Sequence, residues 1–270
     1  MFHTTSPKPD RPRAPDRVVP LVARSARPFP RWKRWADRAV AGSLLVLCAP
    51  VILAAIALVR LTSPGPGIYS QVRLGLNRRP FTLYKIRTMG HNCEARSGAR
   101  WATARDPRVT LVGRFLRSTH IDELPQLWNV LRGEMTLVGP RPERPEIVAQ
   151  IEPLIPGYAE RLTVLPGVTG LAQVQLPPDS SVETVRRKLR YDVYYCSNLG
   201  PWLDARLILV TAVKVFGLVG VMRAVLGIPG PAQVERGRTA VTASTDETAV
   251  TPFVVDPLRA GSPQPGPSGA

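Results

Sequence analysis

"AVAGSLLVLCAPVILAAIALV", Ala39 to Val59, carries no charged side chain anywhere along its length. A run of about 20 apolar residues is long enough for a helix to cross the hydrocarbon of a bilayer. A helix in a soluble core rarely lacks a polar face over that distance. The long basic segment ahead of the run, and the length of the run itself, argue against a secretory signal. Pro50 stands near its middle, where it removes one helix hydrogen bond and bends the axis. Arg31, Lys33, Arg34 and Arg38 precede the run, and Arg60, Arg73, Arg78 and Arg79 follow it. Positive flanks favour the cytoplasmic side, so basic residues at both ends of a bent run suggest a helical hairpin that enters one leaflet and returns. On these residues alone a straight span and a buried soluble helix remain open.

Outward from that run, the 270-residue chain has a formal charge of +16 and a pI near 10.9. Such a balance implies an anionic partner: nucleic acid, an anionic membrane surface or a phosphorylated small molecule. Through Arg38, ten Lys and Arg stand against three Asp in a Pro-rich stretch without apolar periodicity. Residues 1–31 therefore read as a basic disordered arm. Residues 32–61 read as the membrane hairpin, 62–228 as a catalytic domain, and the Pro-, Gly-, Ser- and Thr-rich 229–270 as a disordered tail. Cys48, Cys93 and Cys196 are odd in number and lack a C-x-x-C pair, which argues against a disulfide framework or a zinc site.

After the run, "TSPGPGIYSQVRLGLNRRPFTLYKIRTM" opens with a Pro-Gly turn and offers two strands, around "IYSQV" and "FTLYKI", joined at "GLNRR". Lys85, Arg87 and Thr88 then fall at or just beyond the end of the second strand. "VGRFLR" reads as a helical turn or two. "PQLWNVLRG" reads as a short helix with Gly133 just past its end. "MTLVGPRP" reads as a short buried strand entering a Pro-bounded loop. Alternating short strands and helices indicate a small α/β (mixed α+β) catalytic domain. "LDARLILVTAVKVFGLVGVMRAVLG", Leu203 to Gly227, fits either an interfacial amphipathic helix with Lys214 and Arg223 snorkelling or a core helix ending the domain.

In "THIDELPQLWNVLRGEMTLVGPRP", Thr119 to Pro142, Asp122 and Glu123 stand just before Pro125. With Pro125 in the first turn of the helix, one of these acids lies at its N-cap, where free N–H groups favour a carboxylate. A plain cap is one reading. The other is a carboxylate serving as a nucleophile or holding a divalent cation, with Arg114, Arg117 and Arg141 donating to phosphate oxygens. An arginine set between Pro140 and Pro142 is well fixed for that task. Gly167 and Gly170 permit close backbone approach to a ligand, although turns need Gly anyway. No Walker loop, G-x-G-x-x-G, H-E-x-x-H or G-x-S-x-G occurs, and His3, His91 and His120 do not cluster.

From about Trp32 to Leu218 the chain resembles the bacterial sugar transferase family, the monotopic phosphoglycosyl transferases. The likeness rests on basic residues entering a proline-bent apolar hairpin, then "SPGPGIYSQVRLG", "FTLYKIRTM", "DPRVTLVGRFLR", "IDELPQLWNVLRGEMTLVGPRPE", "PGVTGLAQV" and "YDVYY" in order. His120-Ile121 stand where the family often has Ser-Leu or Ser-Ile. Some relatives carry several additional spans ahead of the catalytic part, and this chain resembles the short form with a basic arm in front.

The resemblance implies an undecaprenyl-phosphate sugar phosphotransferase that moves a sugar 1-phosphate from a UDP-sugar to polyprenyl phosphate and releases UMP, with Mg²⁺. This is the first step of exopolysaccharide or lipopolysaccharide assembly. It further implies that Asp122 attacks the phosphate next to the sugar, that Asp122 and Glu123 hold Mg²⁺, and that Lys85, Arg87, Arg117 and Arg141 bind phosphate or nucleotide. The expected setting is the bacterial inner (cytoplasmic) membrane, with the catalytic domain facing the cytoplasm. The expected partners are the two substrates and the membrane, not nucleic acid. Self-association and contact with other polysaccharide-assembly proteins stay open. The competing reading is a non-enzymatic, membrane-anchored basic module that binds anionic lipid or nucleic acid.

Overall fold

The computed structural model describes residues 29–93, 106–177, 181–214 and 219–236. The apolar run lies inside one helix, α1 (Arg31–Thr62), of 32 residues. At 1.5 Å per residue it extends about 48 Å. Pro50 sits within it and costs one main-chain bond without ending the helix. It is the one helix among the described residues that is long and apolar enough to cross a membrane, and only 17% of its most apolar window is buried. Its buried residues, Lys33, Asp37, Ala41, Ile52, Ala55 and Val59, share one face at helical spacing. Between Ala41 and Ile52 no residue is buried, and Val46 (78%) and Leu47 (74%) are largely exposed. Apolar surface of that extent belongs in lipid, and the chain associates with a membrane through this helix.

A Pro-Gly turn leads from α1 into β1 (Ile68–Leu74), which pairs antiparallel with β2 (Pro80–Ile86) in the register Ile68 to Ile86. The connection is a single 3₁₀ turn, Leu76–Arg78, with Asn77 and Arg78 at positive φ. α2 (Leu111–Thr119) is capped by the Thr110 hydroxyl, which accepts from the Gly113 amide. After a 3₁₀ turn at Ile121–Glu123 comes α3 (Gln126–Arg132), closed by Gly133 in the left-handed region at φ 77. β3 (Thr136–Val138) and β4 (Gly167–Thr169) form a parallel pair, with α4 (Pro145–Ile151) in the crossover. α5 (Leu171–Gln175), α6 (Val182–Asn198), α7 (Pro201–Lys214), α8 (Val219–Val225) and α9 (Pro231–Arg236) follow.

The expected mixed α+β class holds, as do the two strands joined at "GLNRR" and the short helices around the acidic pair. The arm expected over 1–31 and the tail expected from 229 lie outside the described residues except for 29–31 and 229–236. Those two pieces carry structure: Arg31 starts α1, and α9 buries Val234 in the main core. That core gathers Leu83, Leu127, Val130, Met135, Val138, Tyr195, Leu207 and Val210 with Ala41 of α1. A separate cluster joins Ala55 and Val59 of α1 to Ile86 and Leu116, so both ends of α1 pack on the same domain.

The front end of α1 is also tied by charge. Lys33 is buried and pairs with Asp204 of α7 at 2.7 Å and Asp37 at 3.1 Å. The Tyr195 hydroxyl donates to the other Asp204 oxygen and to the Val138 carbonyl, both at 2.7 Å, and Thr136 donates to Asp37. Removing one partner from such a cluster leaves an uncompensated buried charge, which typically costs about 3–5 kcal/mol. The membrane helix is thereby fixed against β3, the strand that leads into the Pro-Arg-Pro loop.

Within Leu203 to Gly227 the described residues fall in α7 and α8, and residues 215–218 lie outside them. α7 buries Leu203, Leu207 and Val210 and exposes Trp202, Ile208 and Leu209. Arg223 does not snorkel: it donates to the Gln175 side-chain oxygen at 3.0 Å.

Candidate active site

The acidic pair does not cap α3. His120 takes a left-handed conformation (φ 59, ψ 16) that ends α2 and starts the 3₁₀ turn carrying Ile121, Asp122 and Glu123. Pro125 stands at the N-cap of α3, and no side chain caps that end. A non-glycine residue in this region carries a conformational cost, and here it turns the two acids toward β2 and the Pro-Arg-Pro loop.

There the two carboxylates meet opposite environments. Glu123 Oε1 accepts from Lys85 Nζ at 2.8 Å and from Arg141 Nη2 at 2.7 Å, and its Oε2 lies 3.5 Å from Arg141 Nη1. Burial alone would raise the Glu123 pKa, but Arg141 and Lys85 outweigh it and hold the carboxyl well below the usual range. Asp122 is 6% exposed, and among the described residues none donates a hydrogen bond to it. Burial, then the neighbouring Glu123 charge, push its pKa up to about 6 against the pull of Lys85, Arg117 and Arg141. Lys85 is lowered by its burial, with Glu123 opposing. Arg141 is raised by Glu123 and keeps 40% of its side chain exposed.

The other expected residues divide. Arg117 stands near enough to act on Asp122 and donates through Nε to the Thr88 hydroxyl at 2.8 Å. Arg114 is exposed on α2 and is not drawn into the cluster. Arg87, expected on phosphate, is engaged with the chain itself. Its terminal nitrogens donate to the Ser63 carbonyl and hydroxyl, both at 2.8 Å, and to the Pro64 carbonyl at 2.5 Å. It closes the turn after α1. Pro140 and Pro142 are buried, and Pro50 is exposed in α1, away from the acids.

The loop bearing Arg141 is held carbonyl by carbonyl. Pro140 O accepts from the Gly167 amide at 2.8 Å, Arg141 O from Arg161 at 2.8 Å, Pro142 O from Arg73 at 3.1 Å and Glu143 O from the Leu74 amide at 2.9 Å. Arg161 is itself paired with Asp192 of α6 at 2.8 Å, and Arg73 with Glu143 at 2.8 Å. A Cβ on Gly167 would fall 2.1 Å from Gly139 N, and one on Gly170 2.2 Å from Gly139 O. These two glycines admit the neighbouring loop rather than a ligand. Sequence reasoning missed Arg73 and Arg161 as holders of this loop, because an arginine in a short element carries no sign of where it points. Asp192 was within a quoted motif, "YDVYY", without a role.

Arg73, Leu83, Lys85, Gln126, Arg141 and Pro142 line a narrow cleft of about 10 Å³ beside Glu123, room for a single oxygen-sized group. Among the described residues no three His, Cys, Asp or Glu side chains gather as a ready-made metal cage. Mg²⁺ does not require one, since it is commonly held by one or two carboxylates together with substrate phosphates. Asp122 and the less occupied Oε2 of Glu123 supply that donor set, so the residues fit the ion.

Comparison with known proteins gives a family model described as bacterial sugar transferase, matching residues 29–218. A protein of Aeromonas hydrophila, UDP-N-acetylgalactosamine-undecaprenyl-phosphate N-acetylgalactosaminephosphotransferase, is 42% identical over 179 residues, covering 66% of this chain and 42% of that one. UDP-glucose:undecaprenyl-phosphate glucose-1-phosphate transferase of Klebsiella pneumoniae is 41% identical, covering 68% and 40%. A protein of the same name from Caulobacter vibrioides is 42% identical over 198 residues, covering 71% and 74%. The match thus spans about two fifths of the length of the first two and three quarters of the third.

The geometry makes a prediction about stability. With its folded pKa raised to about 6, Asp122 favours the native state while protonated, below its unfolded value, and that contribution is lost as pH rises through 6. Asp122→Asn is expected to stabilise the protein by on the order of 2 kcal/mol at pH 8 and by almost nothing at pH 4. Denaturant unfolding in lipid nanodiscs at the two pH values measures this. A loss of stability at pH 8 would mean that the ionised carboxylate is favourably held in the fold.

Proposed function

The chain belongs to the bacterial sugar transferase family, and from that premise we propose that it transfers a sugar 1-phosphate from a UDP-sugar to polyprenyl phosphate. The observation that carries this reading is the unequal treatment of two adjacent acids. Glu123 is neutralised by Lys85 and Arg141, while Asp122 is buried, without a hydrogen bond among the described residues, and raised to about 6. A purely structural pair would share the available cations.

At neutral pH Asp122 is mostly ionised yet poorly solvated, a condition that suits a carboxylate nucleophile. In the proposed first step an Asp122 oxygen attacks the phosphorus next to the sugar. The bond from that phosphorus to the bridging oxygen breaks, UMP leaves with the electron pair, and the sugar phosphate stays on Asp122 as an acyl phosphate. An oxygen of polyprenyl phosphate then attacks the same phosphorus and expels the carboxylate. Phosphoryl chemistry needs charge neutralisation and positioning more than a protein acid. Lys85 and Arg141 provide the first, and the four held carbonyls of residues 140–143 provide the second by fixing Arg141. Arg117 adds charge on the Asp122 side. Mg²⁺, held by Asp122 and Glu123 Oε2, would neutralise the diphosphate.

A lipid-linked acceptor must present its phosphate at the membrane surface. Both ends of α1 dock on the catalytic domain and the exposed apolar stretch around Pro50 lies between them, which supports the re-entrant reading. The proposed setting is the cytoplasmic face of the bacterial inner membrane, where nucleotide sugars are available.

Two outcomes are expected. Membranes bearing the protein should release UMP from UDP-glucose or UDP-N-acetylgalactosamine, the sugars named for the relatives, in a polyprenyl phosphate- and Mg²⁺-dependent way. Asp122→Asn should reduce that release at least a thousandfold without changing membrane extraction. Appreciable residual transfer would remove Asp122 from the nucleophile's place. For α1, single cysteines introduced at Trp32 and Leu61 should both resist an impermeant thiol reagent applied from outside. Labelling of one end alone would make α1 a true span.

A further inference from the structure

Gln126 begins α3 and is 1% exposed, yet among the described residues its Nε2 has no hydrogen-bond acceptor. A buried amide donor without a partner typically costs about 1–3 kcal/mol, so its persistence asks for a compensating ligand. The residue lines the cleft beside Glu123 together with Arg73, Lys85 and Arg141. Three cationic side chains and one amide thus surround a space whose walls contain no carboxylate.

The donor count is lopsided as well. Lys85 and Arg141 both direct their short bonds to one oxygen, Glu123 Oε1, although an ammonium has three N–H groups and a guanidinium five. Arg73 uses its terminal nitrogens on Gln71, Pro142 and Glu143, and its Nε is buried without an acceptor among the described residues. A group with several acceptor oxygens, no donor and a negative charge answers this excess, and a phosphate is such a group.

We propose that Gln126, buried with an unmet amide donor among Arg73, Lys85 and Arg141, hydrogen-bonds a substrate phosphate oxygen in this cleft. The assignment rests on the phosphate-transfer reading above and adds to it a neutral donor. Being uncharged, the amide orients the phosphate without deepening the positive field that already holds Glu123. The same chemistry could come from the nucleotide or from polyprenyl phosphate, and the two sources separate by titration.

The test uses the full chain in lipid nanodiscs, with Gln126→Leu and the near-isosteric Gln126→Glu. Each is titrated with UMP, with uridine and with a short-chain polyprenyl phosphate. A hydrogen bond to a charged group corresponds to about a tenfold to hundredfold change in affinity. The expected result is that loss for UMP in Gln126→Leu, a larger one in Gln126→Glu, and unchanged uridine binding. The same loss confined to polyprenyl phosphate would place the acceptor's phosphate in the cleft. Equal weakening of all three ligands would make Gln126 a packing residue and overturn the proposal. So would unchanged affinities in folded variants while the wild type still releases UMP from a UDP-sugar. A wild type that binds neither phosphate and releases no UMP would instead sink the transfer reading itself.

Discussion

One oxygen, Oε1 of Glu123, receives both Lys85 and Arg141, and the rest of the site follows from that shared acceptor. Lys85 comes from β2, Arg141 from the loop after β3 and Glu123 from the 3₁₀ turn after α2, so a single carboxylate joins three parts of the chain. Because it takes both cations, its neighbour is left without a hydrogen-bonding partner among the described residues, and burial then raises Asp122 to about 6. Two acids of almost the same chemistry acquire opposite pKa shifts through environment alone. The stability given up at Asp122 is of the kind active sites commonly carry.

The high positive charge of the chain is distributed less simply than its sum suggests. Arg87 closes the turn after α1, Arg161 and Arg73 hold the carbonyls of the Pro-Arg-Pro loop, and Arg206 and Arg223 fasten the last helices. These guanidinium groups act as multi-donor clamps on main-chain oxygens, a task for which their planar fork is suited. Lys85, Arg117 and Arg141 are the cations whose charge reaches the acidic pair. Clamps and charge donors meet at residue 141, where Arg161 holds the carbonyl of the residue whose side chain holds Glu123.

Much of the local structure was legible in the sequence. Alternating β-branched and aromatic residues marked β1 and β2, and Gly133 marked the end of α3 by its left-handed geometry. The acidic pair was visible through its motif, but its placement was not. The left-handed turn at His120 shifts it off the α3 cap, and nothing in a lone histidine announces a positive φ. Pro50 suggested a bend within the apolar run, and one lost main-chain bond in a helix of 32 residues leaves the helix unbroken. Gly167 and Gly170 suggested a ligand's approach, and the approaching group is the main chain at Gly139. The Pro- and Gly-rich composition after 228 hid α9, whose contribution to the core is the single side chain of Val234. In each case the sequence marked a special backbone position without telling what would occupy the space beside it.

Asp122 is the group proposed to carry the sugar phosphate. The most direct test of that role is to incubate the membrane-inserted protein with a UDP-sugar in the absence of polyprenyl phosphate, quench it and map the covalent adduct by peptide mass spectrometry. The account predicts a sugar-phosphate mass on the peptide containing Asp122, absent in Asp122→Asn and discharged when polyprenyl phosphate is added. An adduct on another residue, or full turnover by a protein that never forms one, would contradict it.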